Sequence, residues 1–126
     1  MGTARDITPE QMAAYREGAR RRREADRRAL AAREERAWAL ARQAADELRR
    51  QFGVTRVVVF GSLVHPGCFT PWSDVDIAAW GLGLEDTFRA IGVAMDVGGE
   101  IPVNLVDVNA CRASILQVIA EEGVDI

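Results

Sequence analysis

The chain changes texture at Gly53. From Thr8 to Phe52, Ala, Arg and Glu dominate and Gly18 is the one glycine, which predicts one long helix or two nearly continuous ones. Thr8-Pro9-Glu10-Gln11 supplies its start: an oxygen-bearing cap, a proline where the missing N–H costs nothing, and a glutamine at the capping-box position. Trp38, Ala41, Ala45, Leu48 and Phe52 recur at spacings of three and four, an apolar stripe suited to packing on a sheet. Ahead of Leu30, large apolar residues are scarce, with Met12 and Tyr15 nearly alone before the run Arg20 to Arg23. The pattern divides the chain into a helical arm, residues 1–30, and a domain, residues 31–126. An arm so polar on all sides is either solvated or laid against another protein, and the pattern leaves both open.

Past Gly53, short β-branched runs alternate with helical spacings. Arg56 to Phe60 (RVVVF) predicts a buried strand ended by Gly61, and Asp74 to Trp80 (DVDIAAW) a second, closed by Gly81 and Gly83. Leu84 to Asp96 suits a helix, Val103 to Val108 a third strand, and Ala110 to Glu122 a last helix stopped by Gly123. The resulting order is that of an α/β domain with a long N-terminal helix and a small mixed β-sheet covered on one face.

Composition adds three constraints. At 126 residues, 48% hydrophobic and 28% charged, the chain fits one domain with a real core. Its net charge of −3 hides a segregation, since residues 1–50 hold 13 Arg against 9 acids while residues 51–126 hold 3 against 10. The positive half suits an acidic partner, although the acids interspersed along it argue against direct nucleic-acid binding; the negative half attracts divalent cations. Cys68 and Cys111 match neither a disulfide framework nor a zinc cluster, and no stretch reads as a secretory leader or membrane span, so the expectation is a soluble protein of the reducing cytoplasm.

The chemistry is concentrated at two strand ends. Strand alternation puts Asp74, Asp76 and Ala78 on one side and Val75, Ile77 and Ala79, the core face, on the other. Two carboxylates side by side repel, and cations between them relieve the repulsion; Mg²⁺ takes one or two such carboxylates and completes its shell with water and phosphate oxygens. Gly61-Ser62 follows directly on the first strand, where glycine lets the backbone approach a phosphate and the hydroxyl and successive N–H groups can cradle its oxygens. Asp107 lies three residues beyond Asn104, hence on the opposite face of the third strand, where it ends the strand or caps the next helix. His65 is an exposed loop residue that could meet a phosphate, Trp72 either stacks on a base or covers apolar surface, and Ser73 caps local backbone or borders the nucleotide.

The conjunction of strand, Gly-Ser, eleven residues and Asp-x-Asp-strand, in FGSLVHPGCFTPWSDVDIA (Phe60 to Ala78), resembles the minimal nucleotidyltransferases of the DNA polymerase beta superfamily. The likeness continues through VNLVDVNACRASILQVIAEEGV (Val103 to Val124) and covers roughly the last 75 residues. The resemblance implies catalytic, metal-binding Asp74 and Asp76, a nucleotide seat at Gly61, Ser62 and Ser73, Mg²⁺ with ATP as substrate, and transfer of a nucleoside monophosphate to an acceptor hydroxyl. Stand-alone members of that family resemble antitoxins that bind, and adenylylate a tyrosine of, HEPN-domain ribonuclease toxins, which implies a hetero-oligomer. The family's third carboxylate falls on Asn104, whose amide cannot serve as an anionic base. A binding module that neutralises its partner by contact alone is therefore the alternative to an enzyme.

Overall fold

The computed structural model describes residues 6–126. It divides into two compact units, Met1–Ala32 and Arg33–Ile126. Helix α1 spans Pro9–Phe52 and contributes to both. In the first unit its start is the reciprocal box expected of the sequence: Gln11 N donates to Thr8 Oγ1 at 3.1 Å and Thr8 N to Gln11 Oε1 at 2.9 Å. Arg20 then pairs with Glu17 at 2.6 Å and Glu24 at 2.9 Å, one helical turn to either side. No residue from 6 to 32 is buried. Helix propensity and such ion pairs, rather than a core, hold this stretch in helical form.

The second unit is built on a four-stranded sheet in the order β3-β2-β1-β4. Its strands are β1 (Arg56–Phe60), β2 (Val75–Trp80), β3 (Val103–Asp107) and β4 (Val124–Asp125). β1 is antiparallel to both β2 and β4, whereas β2 and β3 run parallel. A parallel pair needs a crossover, and α2 (Thr87–Gly98) is that crossover. Helix α3 (Ala113–Glu122) follows β3. The mixed α/β sheet with a long N-terminal helix agrees with the sequence pattern. The two-residue strand β4 was not expected from it, because so short a run has no periodicity to detect.

Both faces of the sheet carry core. Val57, Val59, Val75, Ile77, Ala79 and Val103 are fully buried on one face. Gly98 of α2 lies on this side, so close to Val103 that a methyl group on the glycine would stand 2.7 Å from the Val103 nitrogen. The other face was expected to be open, but Val58, Ala78, Val108 and Ile119 form a second cluster there, with Ile115 and Phe60 packed against it. Helix α3 therefore covers part of the face that also carries the carboxylates. The stripe on α1 is also rotated from the expected one: Ala37, Leu40, Ala41, Ala44, Ala45 and Leu48 are buried, while Trp38 and Phe52 sit at its margins. The small alanine side chains let a helix approach its neighbours closely, so the larger rings are displaced to the edges, where they lie under Arg42 and Arg89.

Candidate active site

The end of β1 and the start of β2 meet because the two strands are antiparallel, with Phe60 opposite Asp76. At Gly61 the backbone adopts φ 79°. A methyl group there would stand 2.6 Å from Asp76 Oδ2, so both the conformation and the close approach require glycine. Gly61–Val64 forms one 3-10 turn that places Ser62 beside the same strand end. Asp74 immediately precedes β2, and Asp76 is its second residue.

Register between β2 and β3 decides the third member. Asn104 pairs with Asp76, Val106 with Ala78, and Asp107 with Ala79. Asn104 thus shares the carboxylate face, and its Nδ2 donates to Asp74 Oδ2 at 3.2 Å and lies 3.5 Å from Asp76 Oδ1. Asp107 belongs to the opposite face, where it is buried. It accepts from Thr87 Oγ1 at 2.8 Å and from the Asn109 backbone at 3.0 Å. It ties the first turn of α2 to the turn after β3, rather than capping the following helix.

Burial pushes the Asp76 carboxyl above its usual range, the Asn104 hydrogen bond opposes that rise, and the negative charge of Asp74 adds to it. Two hard carboxylates, one with a poorly compensated charge, both facing a single donor group, fit a divalent cation of the Mg²⁺ type. Among the described residues no group of three or more His, Cys, Asp or Glu is arranged to hold a metal, so the set here is two carboxylates and an amide.

The loop between these elements is organised by its own hydrogen bonds. Ser73 Oγ accepts from the Thr70 nitrogen at 2.8 Å and lies 2.9 Å from Thr70 Oγ1, so the serine braces the loop. His65 Nε2 meets Glu122 Oε2 of α3 at 3.1 Å, which directs it away from a phosphate role. Trp72 is 86% exposed. One contributor is absent from the sequence-based site: Arg33 donates to the Ser73 carbonyl at 3.1 Å and lies over the buried Phe69 ring, 5.9 Å from its centroid. Its Nε is buried without a hydrogen-bond partner. The signal was its spacing, since Arg33 lies four residues before Ala37 and eight before Ala41, in line with the buried stripe.

The fold and this motif are similar to those of nucleotidyltransferase domains. Residues 41–81 match the family model described as nucleotidyltransferase domain. The fold resembles that in a crystal structure of the MntA–HepT toxin–antitoxin, with a TM-score of 0.52 and 17% identity over 70% of this chain and 69% of that one. It is similar also to a toxin–antitoxin structure with AMP-PNP, with a TM-score of 0.53 and 20% identity over 66% of this chain and 69% of that one. A substituted form of the first pair gives a TM-score of 0.55 at 17% identity, over 68% of this chain and 70% of that one. The comparison with curated proteins finds no match. Among the described residues no helix is long and apolar enough to cross a membrane.

Proposed function

We propose that this chain is the antitoxin of a two-protein pair, binding a HEPN-type ribonuclease toxin and transferring AMP from Mg-ATP to a hydroxyl of that toxin. The observation that carries this reading is the convergence of Asp74, Asp76 and the glycine backbone at Gly61 on one strand end. Gly61 and Ser62 would seat the triphosphate, with Ser73 bracing the loop at its border, and Asp74 and Asp76 would hold Mg²⁺. The ion, when bound, neutralises charge on the triphosphate and polarises the reacting phosphorus. The acceptor oxygen bonds to that phosphorus as pyrophosphate leaves. The solved toxin–antitoxin structure with AMP-PNP supports a nucleotide in a fold of this kind.

A second reading has its own observation. Asn104 occupies the position from which an anionic group could draw the acceptor proton, and its amide donates to both aspartates instead. This favours a domain that keeps the nucleotide seat and silences its toxin by contact. Purified chain, labelled ATP and the toxin partner decide between the two: label on the toxin supports transfer, and neutralisation without label supports binding alone. Neutralisation lost together with nucleotide binding in the Asp74→Ala, Asp76→Ala double variant would make the nucleotide seat necessary in either case.

A further inference from the structure

Helix α2 buries Ala90, Ala94 and Gly98 and turns its opposite side to solvent. That outer side is unusual in composition. Phe88 is 88% exposed and Met95 59% exposed, and between them lies Gly92. Gly92 has no positive φ, and a methyl group added there would meet nothing within 4 Å. Neither backbone conformation nor internal packing asks for a glycine, yet glycine weakens the middle of a helix. A glycine flanked by exposed apolar side chains makes a notch into which another backbone can come close.

The arrangement around the notch is self-complementary. At 3.6 residues per turn, Phe88 and Met95 fall within ~20° of each other on one side of Gly92, and Arg89 and Asp96 fall within ~20° of each other on the opposite side. Two such helices related by a two-fold axis perpendicular to them run antiparallel, so a residue before Gly92 in one copy meets a residue after Gly92 in the other. That operation sets Phe88 against Met95 twice along one side and Arg89 against Asp96 twice along the other. Arg89 lies over the Phe52 ring, 5.3 Å from its centroid, and 3.6 Å from Asp86, yet its side chain is 70% exposed, so most of it still faces solvent. Asp96 is exposed and has no ion-pair partner among the described residues.

We infer that the outer face of α2 is an isologous docking surface for a second copy of this chain, centred on Gly92. The face belongs to the side of the sheet occupied by Val103, opposite Asn104, so docking leaves the carboxylate pair open. A single pair of helices about 18 Å long falls short of the ~800 Å² per partner of a standard interface, so the dimer is concentration-dependent and rapidly exchanging.

Sedimentation of the full chain across micromolar to submillimolar concentrations tests this. The wild-type protein should shift from monomer to dimer. Gly92→Leu fills the notch without an internal clash and should weaken dimerisation at least tenfold, as should Phe88→Asp. Arg89→Asp and Asp96→Arg should each weaken it, and the two together should restore it, because the swap recreates both ion pairs only across a two-fold axis. Circular dichroism of each variant confirms the fold. A wild-type chain that stays monomeric, a dimer indifferent to Gly92→Leu, or an α2 face protected from hydrogen exchange only after a different protein is added would each overturn the assignment to a second copy.

Discussion

Asn104 and Asp76 stand directly opposite each other on parallel strands, with the amide nitrogen of the first 3.5 Å from a carboxylate oxygen of the second. The amide also donates to Asp74 at 3.2 Å, so one neutral group serves two anions. Restoring an anion at position 104 should supply a base for the acceptor hydroxyl. Asn104→Asp is expected to raise AMP transfer toward the ~10²- to 10⁴-fold range typical of general-base contributions, read with labelled ATP and partner. Asp107→Ala should leave transfer nearly unchanged and instead destabilise the fold by about 1–3 kcal/mol, because Thr87 Oγ1 and the Asn109 nitrogen lose their buried acceptor. Transfer abolished by Asp107→Ala in a folded protein would contradict the register drawn here.

Gly61→Ala should be disproportionately damaging to the site. The left-handed conformation costs a residue with a Cβ roughly 1–2 kcal/mol. The added methyl group would also displace Asp76, only 2.6 Å away. Loss of Mg-ATP binding with a modest fall in thermal midpoint is expected, measured by calorimetric titration and melting; unaltered nucleotide affinity would show that the backbone at Gly61 does not border the ligand.

The raised pKa of Asp76 makes a signed prediction for stability. A carboxyl whose folded value lies above its unfolded value of about 3.9 leaves the fold unpenalised below that pH and destabilises it as pH rises through the folded value. Asp76→Asn should therefore raise the melting temperature at neutral pH, with the gain shrinking to nothing under acid conditions below about pH 3.9. A gain that is independent of pH would assign the effect to packing rather than to charge. Mg²⁺ should also stabilise the wild-type chain and not the variant.

Arg33→Met removes the bond to the Ser73 carbonyl while keeping an apolar stem over Phe69. The lost guanidinium includes a buried N–H without a partner, so the melting temperature should change little. Hydrogen exchange at the Ser73 and Val75 amides should rise and Mn²⁺ affinity should fall, with Arg33→Lys recovering part of both. Unchanged exchange at those amides would leave Arg33 without a positioning role.

Deleting residues 8–30 removes a stretch in which nothing is buried. The remainder should fold with its cooperative melting intact and, under the proposed function, capture the toxin partner less tightly; equal affinity would mark this helix as a solvated one.

The sequence by itself determined much of this protein. Propensity and capping are local properties, so Thr8, Gln11 and the alanine-rich run sufficed to specify α1 and its start. Strand alternation has a period of two, so the separation of Asn104 from Asp107 and the common face of Asp74 and Asp76 followed from spacing alone. Other features were decided only by the tertiary structure. Arg33 reaches Ser73 across forty positions of chain, β4 exists because the residues after α3 return to β1, and the burial of Ala78 depends on where α3 lies. Helical spacing aligns Arg33 with the buried stripe but does not name the carbonyl it meets, and neither β4 nor the burial of Ala78 leaves a periodic trace, because each is a contact between segments whose relation is set by packing rather than by the rise and turn of one element.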